Sequence, residues 1–304
     1  MPEVAVVVGN YEGERVLPDL LASLQEQTAP PAEVIVVDAG SRDRSRELAA
    51  AAGARILLRE NRGLGHLYNE GARAAVAELV LLANNDVALE PPCLELLAAA
   101  LAESECRFAA DPTQLDWEGR EVVHARTVLR RGPLLRRPLP GFALDDTVTA
   151  DDVVPTLLAN GAAMLVRREE LLRLGGFDET FFLEFEEIDL CWRAWLAGLE
   201  TVYVPHARVR HRVGAVTSSA LRARRLRSAH HNLLRFALKC LPARAAAVVL
   251  AGELLRLPRH PTLVAPALAR VGRELPEILR ARRSLGPKGA TFARLLAPDA
   301  DARR

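Results

Sequence analysis

The sequence predicts an α/β fold in which helices cover both faces of a mostly parallel sheet. Within the first hundred residues, short runs of Val, Ile and Leu alternate with segments whose apolar residues have helical spacing. Apolar runs without polar alternation are typical of strands that are buried on both faces of a parallel sheet. Several runs end in polar residues, and ligands of such sheets bind at the carboxyl ends of the strands.

The individual elements follow from this alternation. Runs rich in β-branched residues predict strands, and a glycine marks the end of the second predicted helix. We predict strands at residues 4–10, 33–41, 54–60 and 78–86, and helices at 16–27, 45–53 and 65–77.

The rest of the chain is irregular at first and then strongly helical. Scattered Gly and Pro predict irregular structure over 107–150, with an exposed loop at 130–141. After about residue 215, Arg-edged helices with apolar faces are broken by Pro. Two regions, 1–215 and 216–304, are therefore expected. Between the loop and the basic helices we predict a strand and helix over 161–177, an amphipathic helix over 186–198, and a strand pair or one extended strand over 200–214.

Charge separates the two regions. The 304 residues carry a net charge of +1, but residues 1–205 hold 19 Lys and Arg against 34 Asp and Glu, and residues 206–304 hold 21 against 5. So basic a region predicts an anionic partner: a lipid surface, nucleic acid, or the acidic first region itself. Nucleic acid is the least favoured, because Phe236 and Phe292 are the region's only aromatic residues.

Cysteine usage and hydrophobicity favour a cytoplasmic location. Cys93, Cys106, Cys191 and Cys240 lack CxxC spacing, which predicts reduced thiols. We expect no signal peptide, because an apolar strand follows Met-Pro-Glu directly. The longest nearly uncharged run, 245–252, is far shorter than the ~20 residues that span a bilayer.

The glycine motifs disfavour two common nucleotide-binding classes. Gly63-x-Gly65 resembles the start of a dinucleotide fingerprint, but Tyr68 stands where a third small residue is needed. The P-loop pattern is absent as well. A Rossmann dehydrogenase and a P-loop nucleotidase are therefore disfavoured, and the stretch reads equally well as a tight turn that opens a helix.

A group of acids between bulky aromatics has two interpretations. The acids could match the dipole at a helix N-terminus. Alternatively, one of them is a general base whose pKa is raised by its apolar surroundings. The acids are Glu184, Glu186, Glu187 and Asp189, and the aromatics are Phe181, Phe182 and Phe185.

Histidines and strand ends supply the other candidates. His211 ends a strand-like run among Arg208, Arg210 and Arg212, a setting that suits an anionic ligand. His206 is expected in a turn, and the His230-His231 pair is expected to be solvated. The polar strand ends are Gly9-Asn10, Asp38-Ala39-Gly40, Asn61 and Asn84-Asn85-Asp86.

Together these motifs resemble family 2 glycosyltransferases with the GT-A fold. The resemblance covers about residues 4–214 in the family's order, and no single motif carries it. The basic tail is similar to that of the rhamnosyltransferase-like subset, which builds bacterial cell-surface polysaccharides. The motifs are VVVGNYEGERVLPDLLASLQEQT, VIVVDAGSRDRS, RENRGLGHLYNEGARAA, VLLANNDVALEP, NGAAMLVRREELLRLGGFDETFFLEFEEIDLCWRAWLAG and VYVPHARVRHRVG.

The resemblance implies an inverting transfer from a UDP- or dTDP-sugar. It implies that Glu187 is the catalytic base, with Glu186 and Asp189 as alternates. A divalent cation, Mg²⁺ or Mn²⁺, would be bound by Asp86 and His211, with Asn84 as an additional ligand. Residues 1–106 would form the nucleotide-sugar half and 107–215 the acceptor half of the catalytic domain. The nucleotide-sugar contacts would come from Gly9, Asn10, Tyr11, Asp38, Asn61, Gly63, Asn69 and Asn85.

The resemblance also implies partners. The acceptor would be a glycan or a lipid-linked molecule. The region 216–304 either packs on the catalytic domain or a second subunit, or attaches the protein to the inner face of the plasma membrane. A homodimer is a further expectation, and nucleic acid is not expected.

Three positions depart from the family pattern. Asn84 replaces the first carboxylate of the Asp-x-Asp motif, Ala39 replaces an Asn, and Glu187 replaces the more frequent Asp. Two alternatives are therefore kept: a non-catalytic homologue that binds nucleotide sugars, and a sugar-1-phosphate nucleotidyltransferase. The second alternative would need a lysine near Gly9 and Gly13, and none is present.

Overall fold

The computed structural model describes residues 2–129, 142–144, 152–212 and 219–286. Twelve strands and nine helices lie within these ranges. The strands are β1 Val4–Asn10, β2 Glu33–Asp38, β3 Arg55–Leu58, β4 Leu79–Asn84, β5 Val87–Leu89, β6 Arg107–Asp116, β7 Val122–His124, β8 Thr127–Leu129, β9 Phe142–Leu144, β10 Val154–Pro155, β11 Ala163–Arg167 and β12 Glu200–His211. The helices are α1 Leu17–Gln25, α2 Ser45–Ala51, α3 Leu64–Ala74, α4 Cys93–Ala102, α5 Arg168–Arg173, α6 Glu186–Leu196, α7 Ser219–Cys240, α8 Ala243–Arg256 and α9 Pro261–Ser284.

One large sheet organises the molecule. Its strand order is β10-β12-β6-β11-β4-β1-β2-β3, with β5 paired to β12 and β7 paired to β6. β3, β2, β1 and β4 are parallel, and β11 lies antiparallel between β4 and β6. In register, Asn10 lies opposite Asp38, and Gly9 lies opposite Asn84. The carboxyl ends of β1, β2 and β4 therefore meet at one edge, as the sequence predicts.

Helices cover both faces of the sheet. Successive residues of β1 point to opposite faces, so Val6 and Val8 pack with α1 and α4, whereas Val7 packs with α3 and α6. α3 approaches the sheet closely at Gly71, where a Cβ atom would overlap Cγ1 of Val7. This mixed α/β layering confirms the predicted fold class.

The sequence-based expectation for 107–150 was wrong in part. Residues 107–116 form β6, a mostly buried ten-residue strand in the middle of the sheet. The pattern is hidden by Asp111 and Pro112, which are unusual inside a central strand. The structure accommodates Pro112 at a bulge, because the pairing of β6 with β12 shifts register between Val204 and Arg208. Most of the predicted loop at 130–141 lies outside the described residues.

The segment 200–214 forms one long strand, β12, as far as the structure describes it. Its bulge contains His206, which lies inside the strand and not in the predicted turn. Because β12 continues past this bulge, it reaches β5 and brings His211 level with Val87.

The basic helices pack on the rest of the chain. α7 contacts α6 and α9, and its apolar residues join a buried cluster with Trp192 and Trp195. The expectation of a solvated His230-His231 pair was wrong: His230 contacts Glu253 at 2.5 Å, and His231 contacts Glu274 at 2.8 Å. The division at 215/216 stays a prediction. None of the described helices has the length and apolar character needed to cross a membrane.

Gly71 and Gly272 provide a matched test of this packing. Gly71→Ala should lower the free energy of unfolding by about 1–3 kcal/mol, because the new methyl group must displace Val7 in the core. Gly272 lies at an exposed position of α9, with no atom within 4 Å of a new Cβ, so Gly272→Ala should raise the free energy of unfolding by up to about 1 kcal/mol. Urea unfolding measures both; equal effects would contradict this account of α3.

Candidate functional site

A buried hydrogen-bond network ties together the three parallel strand ends. Asp38 is fully buried, and its carboxylate accepts from the side chains of Asn10 (2.8 Å) and Ser41 (2.6 Å) and from the backbone N–H groups of Gly40 and Ser41. Asn10 in turn accepts from Asn85 at 2.7 Å. These contacts make Asn10, Asp38 and Asn85 the frame of the site, and their contact with a nucleotide stays a prediction.

Tyr68, on α3, connects this frame with the second half of the chain. Its hydroxyl donates to the carbonyl oxygen of Gly161 at 2.7 Å and lies 3.0 Å from Oδ1 of Asn84. Burial raises the pKa of Tyr68 well above its ordinary value, and the charges of Asp86, Glu186 and Glu187 raise it further. The charges of Asp86 and of the adjacent pair Glu186 and Glu187, which is distant from it in sequence, therefore act on one phenol.

Asp86 and His211 face each other in the structure, and their role as metal ligands stays a prediction. The antiparallel pairing of β5 with β12 sets His211 opposite Val87, so that its Nε2 lies 3.4 Å from Oδ1 of Asp86. His211 Nδ1 lies 3.2 Å from Oε1 of Gln114, an oxygen that can only accept. In the neutral tautomer that donates to Gln114, the lone pair of Nε2 faces Asp86. Oδ1 of Asp86 is buried without a hydrogen-bond donor among the described residues.

A buried oxygen and an imidazole lone pair at this separation could bind a cation between them. Asn84 is less available as a ligand, because its side-chain oxygen already contacts Tyr68. In the part of the chain that the structure describes, no group of three or more His, Cys, Asp or Glu side chains is arranged to hold a metal. The protein thus offers two ligands here, and a bound diphosphate would have to supply others.

The acids of α6 divide into two groups. Glu186 and Glu187 occupy the first turn of α6, and their charges raise the pKa of Tyr68. The Cβ of Glu187 lies 4.0 Å from the position that a Cβ at Gly161 would take. Asp189 is fully buried elsewhere, 2.8 Å from both Arg193 and Lys239. Burial alone would raise the pKa of Asp189, but these two cations hold it below its ordinary value. This pairing speaks against Asp189 as the catalytic base.

The other predicted nucleotide contacts lie around the same edge. Gly9 is buried beneath Leu64, whereas Tyr11 and Asn61 are exposed. Gly63 has φ +105°, and a Cβ there would lie 2.7 Å from the carbonyl oxygen of Phe182, so only glycine fits. The amide of Asn69 bonds both backbone groups of Phe177, which gives it a structural role.

Several residues of the site were missed by sequence reasoning. In the sequence motifs, Tyr68 served only as evidence against a dinucleotide fingerprint. Its position on α3, one turn after Leu64, places it under the strand ends. Asp111 accepts from His124 at 2.8 Å and from the backbone of Asn160 at 3.0 Å, and so fixes the turn before Gly161. Burial raises the pKa of Asp111, while His124 opposes that shift. Because no strand was predicted over residues 107–116, no sequence signal pointed to Asp111.

Comparison with known proteins agrees with this geometry. Residues 5–141 match the family described as "Glycosyl transferase family 2". The chain is 29% identical over 234 residues to N-acetylglucosaminyl-diphospho-decaprenol L-rhamnosyltransferase of Mycobacterium tuberculosis, covering 69% of this chain and 75% of that protein. It is 31% identical over 158 residues to rhamnosyltransferase WbbL of Escherichia coli, covering 47% and 58%.

Solved structures share the fold at low sequence identity. GalNAc-T7, crystallised with UDP, GalNAc and Mn²⁺, superimposes with a TM-score of 0.60 at 17% identity, over 79% of this chain and about half (48%) of that one. The mannosyltransferase PcManGT of Pyrobaculum calidifontis, solved with GDP-Man and Mn²⁺, gives 0.55 at 21% identity, over 90% and 75%. The sequence matches and the architecture agree: residues 5–141 are similar to glycosyl transferase family 2, and the chain is a glycosyltransferase with the GT-A fold.

Proposed function

We propose that the chain transfers a sugar from a UDP- or dTDP-sugar to a hydroxyl group of a glycan or lipid-linked acceptor, with inversion at the anomeric carbon. The observation that carries this proposal is the pairing of Asp86 with His211, 3.4 Å apart, at the strand ends that Tyr68 connects with Gly161. The Cβ of Glu187 lies beside the same Gly161. Two of the relatives are named as rhamnosyltransferases, which favours rhamnose as the transferred sugar and surface-polysaccharide synthesis as the setting.

Glu187 is the proposed base. Its carboxylate accepts the proton of the acceptor hydroxyl while that oxygen forms a bond to the anomeric carbon. The bond from that carbon to the diphosphate breaks, and the nucleoside diphosphate leaves with the electron pair. Glu186 remains the alternate base, since the charges of both carboxylates raise the pKa of Tyr68.

Asp86 and His211 are the proposed ligands of a divalent cation. Two facing lone-pair donors 3.4 Å apart repel each other unless a proton or a cation lies between them. A divalent cation, when bound, neutralises charge that develops on the departing diphosphate. Asp86 and His211 would hold such a cation near Tyr68, whose pKa the charge of Asp86 raises. Mn²⁺ in the related folds of GalNAc-T7 and PcManGT supports the choice of metal.

The outer helices are proposed to meet the inner face of the plasma membrane. Large apolar side chains remain exposed on α8 and α9, notably Leu255 at 66% and Leu254 at 50%. Arginines flank them, which suits a surface of anionic lipid. A lipid-linked acceptor would lie in that surface, in line with the cytoplasmic location expected from the sequence. Homodimerisation stays a prediction.

Glu187→Gln tests the base. We expect kcat to fall by about 10²–10⁴-fold, because the amide cannot accept the proton, while calorimetry shows unchanged donor affinity. Glu186→Gln is the matched control and should keep most of the turnover, measured as released nucleoside diphosphate. Full activity of Glu187→Gln would refute the assignment, and inactivity of Glu186→Gln alone would transfer the role to Glu186.

Asp86→Asn and His211→Gln test the cation site. Titration of Mn²⁺ by electron paramagnetic resonance, with the nucleoside diphosphate present, should show at least about tenfold weaker binding in each variant, because each loses one of two protein ligands. His206→Gln, on the same strand, is the control and should bind Mn²⁺ normally. Unchanged Mn²⁺ affinity in both site variants would rule out this pair as the ligands.

Membrane attachment requires a test on the full chain, because removing residues after 215 would expose the apolar cluster beneath α7. We expect the protein to float with vesicles that contain anionic lipid, and Leu255→Glu to reduce the floating fraction at least about twofold by adding a charge to the inserting face. Val76→Glu, at a position 82% exposed beside α3, is the control. Equal flotation of both variants, or none of the wild type, would contradict the proposal.

A further inference from the structure

The segment that leads into α6 has an unfavourable backbone conformation. Glu184 and Phe185 have φ values of +66° and +75°, and in the described residues Glu12 is the only other non-glycine residue with a positive φ. L-residues adopt this left-handed region rarely, because the Cβ atom crowds the backbone. Glu186 and Glu187 follow immediately, so this turn sets where the first-turn carboxylates of α6 point.

A side chain from α7 holds the turn in place. Asn232 is 1% exposed, and its Nδ2 donates to the carbonyl oxygens of Leu183 at 2.8 Å and Glu184 at 3.0 Å. Its Oδ1 lies 3.0 Å from Nδ1 of His231. Both hydrogens of the amide are therefore used on two successive peptide groups, and only a residue with two donors at this position can make both bonds.

The same face of α7 fixes the start of α6 in three further places. Phe236, one turn after Asn232, packs against Phe185 with ring centroids 5.8 Å apart. One turn later, Lys239 lies 2.8 Å from a carboxylate oxygen of Asp189, and Cys240 lies 3.4 Å from the same carboxylate. Residues spaced this way share one face of a helix. α7 thus contacts the backbone of the turn through Asn232, the ring of Phe185 just before α6, and the carboxylate of Asp189 in the first turn of α6.

We propose that Asn232 is a positioning residue for sugar transfer: by holding the left-handed Glu184-Phe185 turn, it sets Glu187 at the reacting carbon. This inference rests on the proposed role of Glu187. It assigns the basic C-terminal helices a part in catalysis besides any contact with a membrane. The donor's predicted contacts at the ends of β1, β2 and β4 lie on other elements, so the effect should fall on turnover and not on donor binding.

Asn232→Asp is the decisive variant, because it preserves shape but removes both donors. We expect kcat to fall by about 10- to 100-fold, as for a displaced catalytic group, with donor affinity changed less than about twofold by calorimetry. Asn232→Gln retains both donors and should recover part of kcat. Asn232→Ala serves as a second, uncharged loss of both bonds and should match Asn232→Asp in kcat.

The control variant is His230→Gln. His230 lies on the same helix but pairs with Glu253 on α8, so its substitution should cost thermal stability without changing kcat. Glu187→Gln is measured alongside: if it remains active, the proposed base is wrong, whatever Asn232 does. If Glu187→Gln is inactive and folded Asn232→Asp turns over at the wild-type rate, the positioning proposal is wrong. Failure of both Asn232→Asp and Asn232→Ala to fold, while His230→Gln folds, would also overturn it, since Asn232 would then serve folding alone.

Discussion

The buried carboxylate of Asp38 is the constraint on which the site depends. A carboxylate with no exposed surface is stable only when hydrogen bonds replace its lost hydration. Its donors come from the end of β1 and from the turn after β2, so satisfying the charge fixes those two ends together. Asn85 extends the same network to the end of β4. The parallel strands therefore cannot separate at this edge without leaving a buried charge unpaired.

The close approach of Gly13 belongs to this network. A Cβ there would overlap the side chain of Asn10 and lie 2.5 Å from that of Asn85, so the loop after β1 can cross the strand ends only as glycine. Because this edge of the sheet is closed, α3 can place Tyr68 beneath the strand ends, where its hydroxyl bonds to Gly161. Sugar transfer needs donor and acceptor groups held in fixed relation, and this rigid edge provides one half of that geometry.

Much of the fold could be predicted from the sequence because local pattern and tertiary role coincide in the first ninety residues. β1, β2 and β4 are apolar along most of their length and largely buried, and each ends in a polar residue. The metal role predicted for Asp86 and His211 came from the family resemblance, and the two residues lie 3.4 Å apart. β6 was missed, because its polar residues are satisfied by partners on other strands: Asp111 by His124, and Thr113 by Tyr203. Patterns reveal periodicity, but not which distant group will neutralise a buried charge.

The same limit explains the errors in the basic region. His230 and His231 look solvated among arginines, yet each pairs with a glutamate on a helix that follows. The sequence could indicate that Asp189 lies on α6, but not that its charge is matched by Lys239, fifty residues later. Removing one partner of a buried ion pair costs about 3–5 kcal/mol, so such a pairing is also a strong constraint on where α7 lies.

These pairings give the charge asymmetry of the chain a physical cause. Arg235 and Lys239 in the basic region bind Asp178 of the acidic region, and burial alone would raise the pKa of Asp178, but these two cations lower it well below its ordinary range. The basic region can therefore have two of its expected partners at once, the acidic first region and a lipid surface. Its inner face neutralises the acidic first region and holds α6, while the proposed contact with an anionic surface would use the outer sides of α8 and α9. Because α7 belongs to the inner face, the site and the basic helices are coupled through the few side chains between residues 232 and 240.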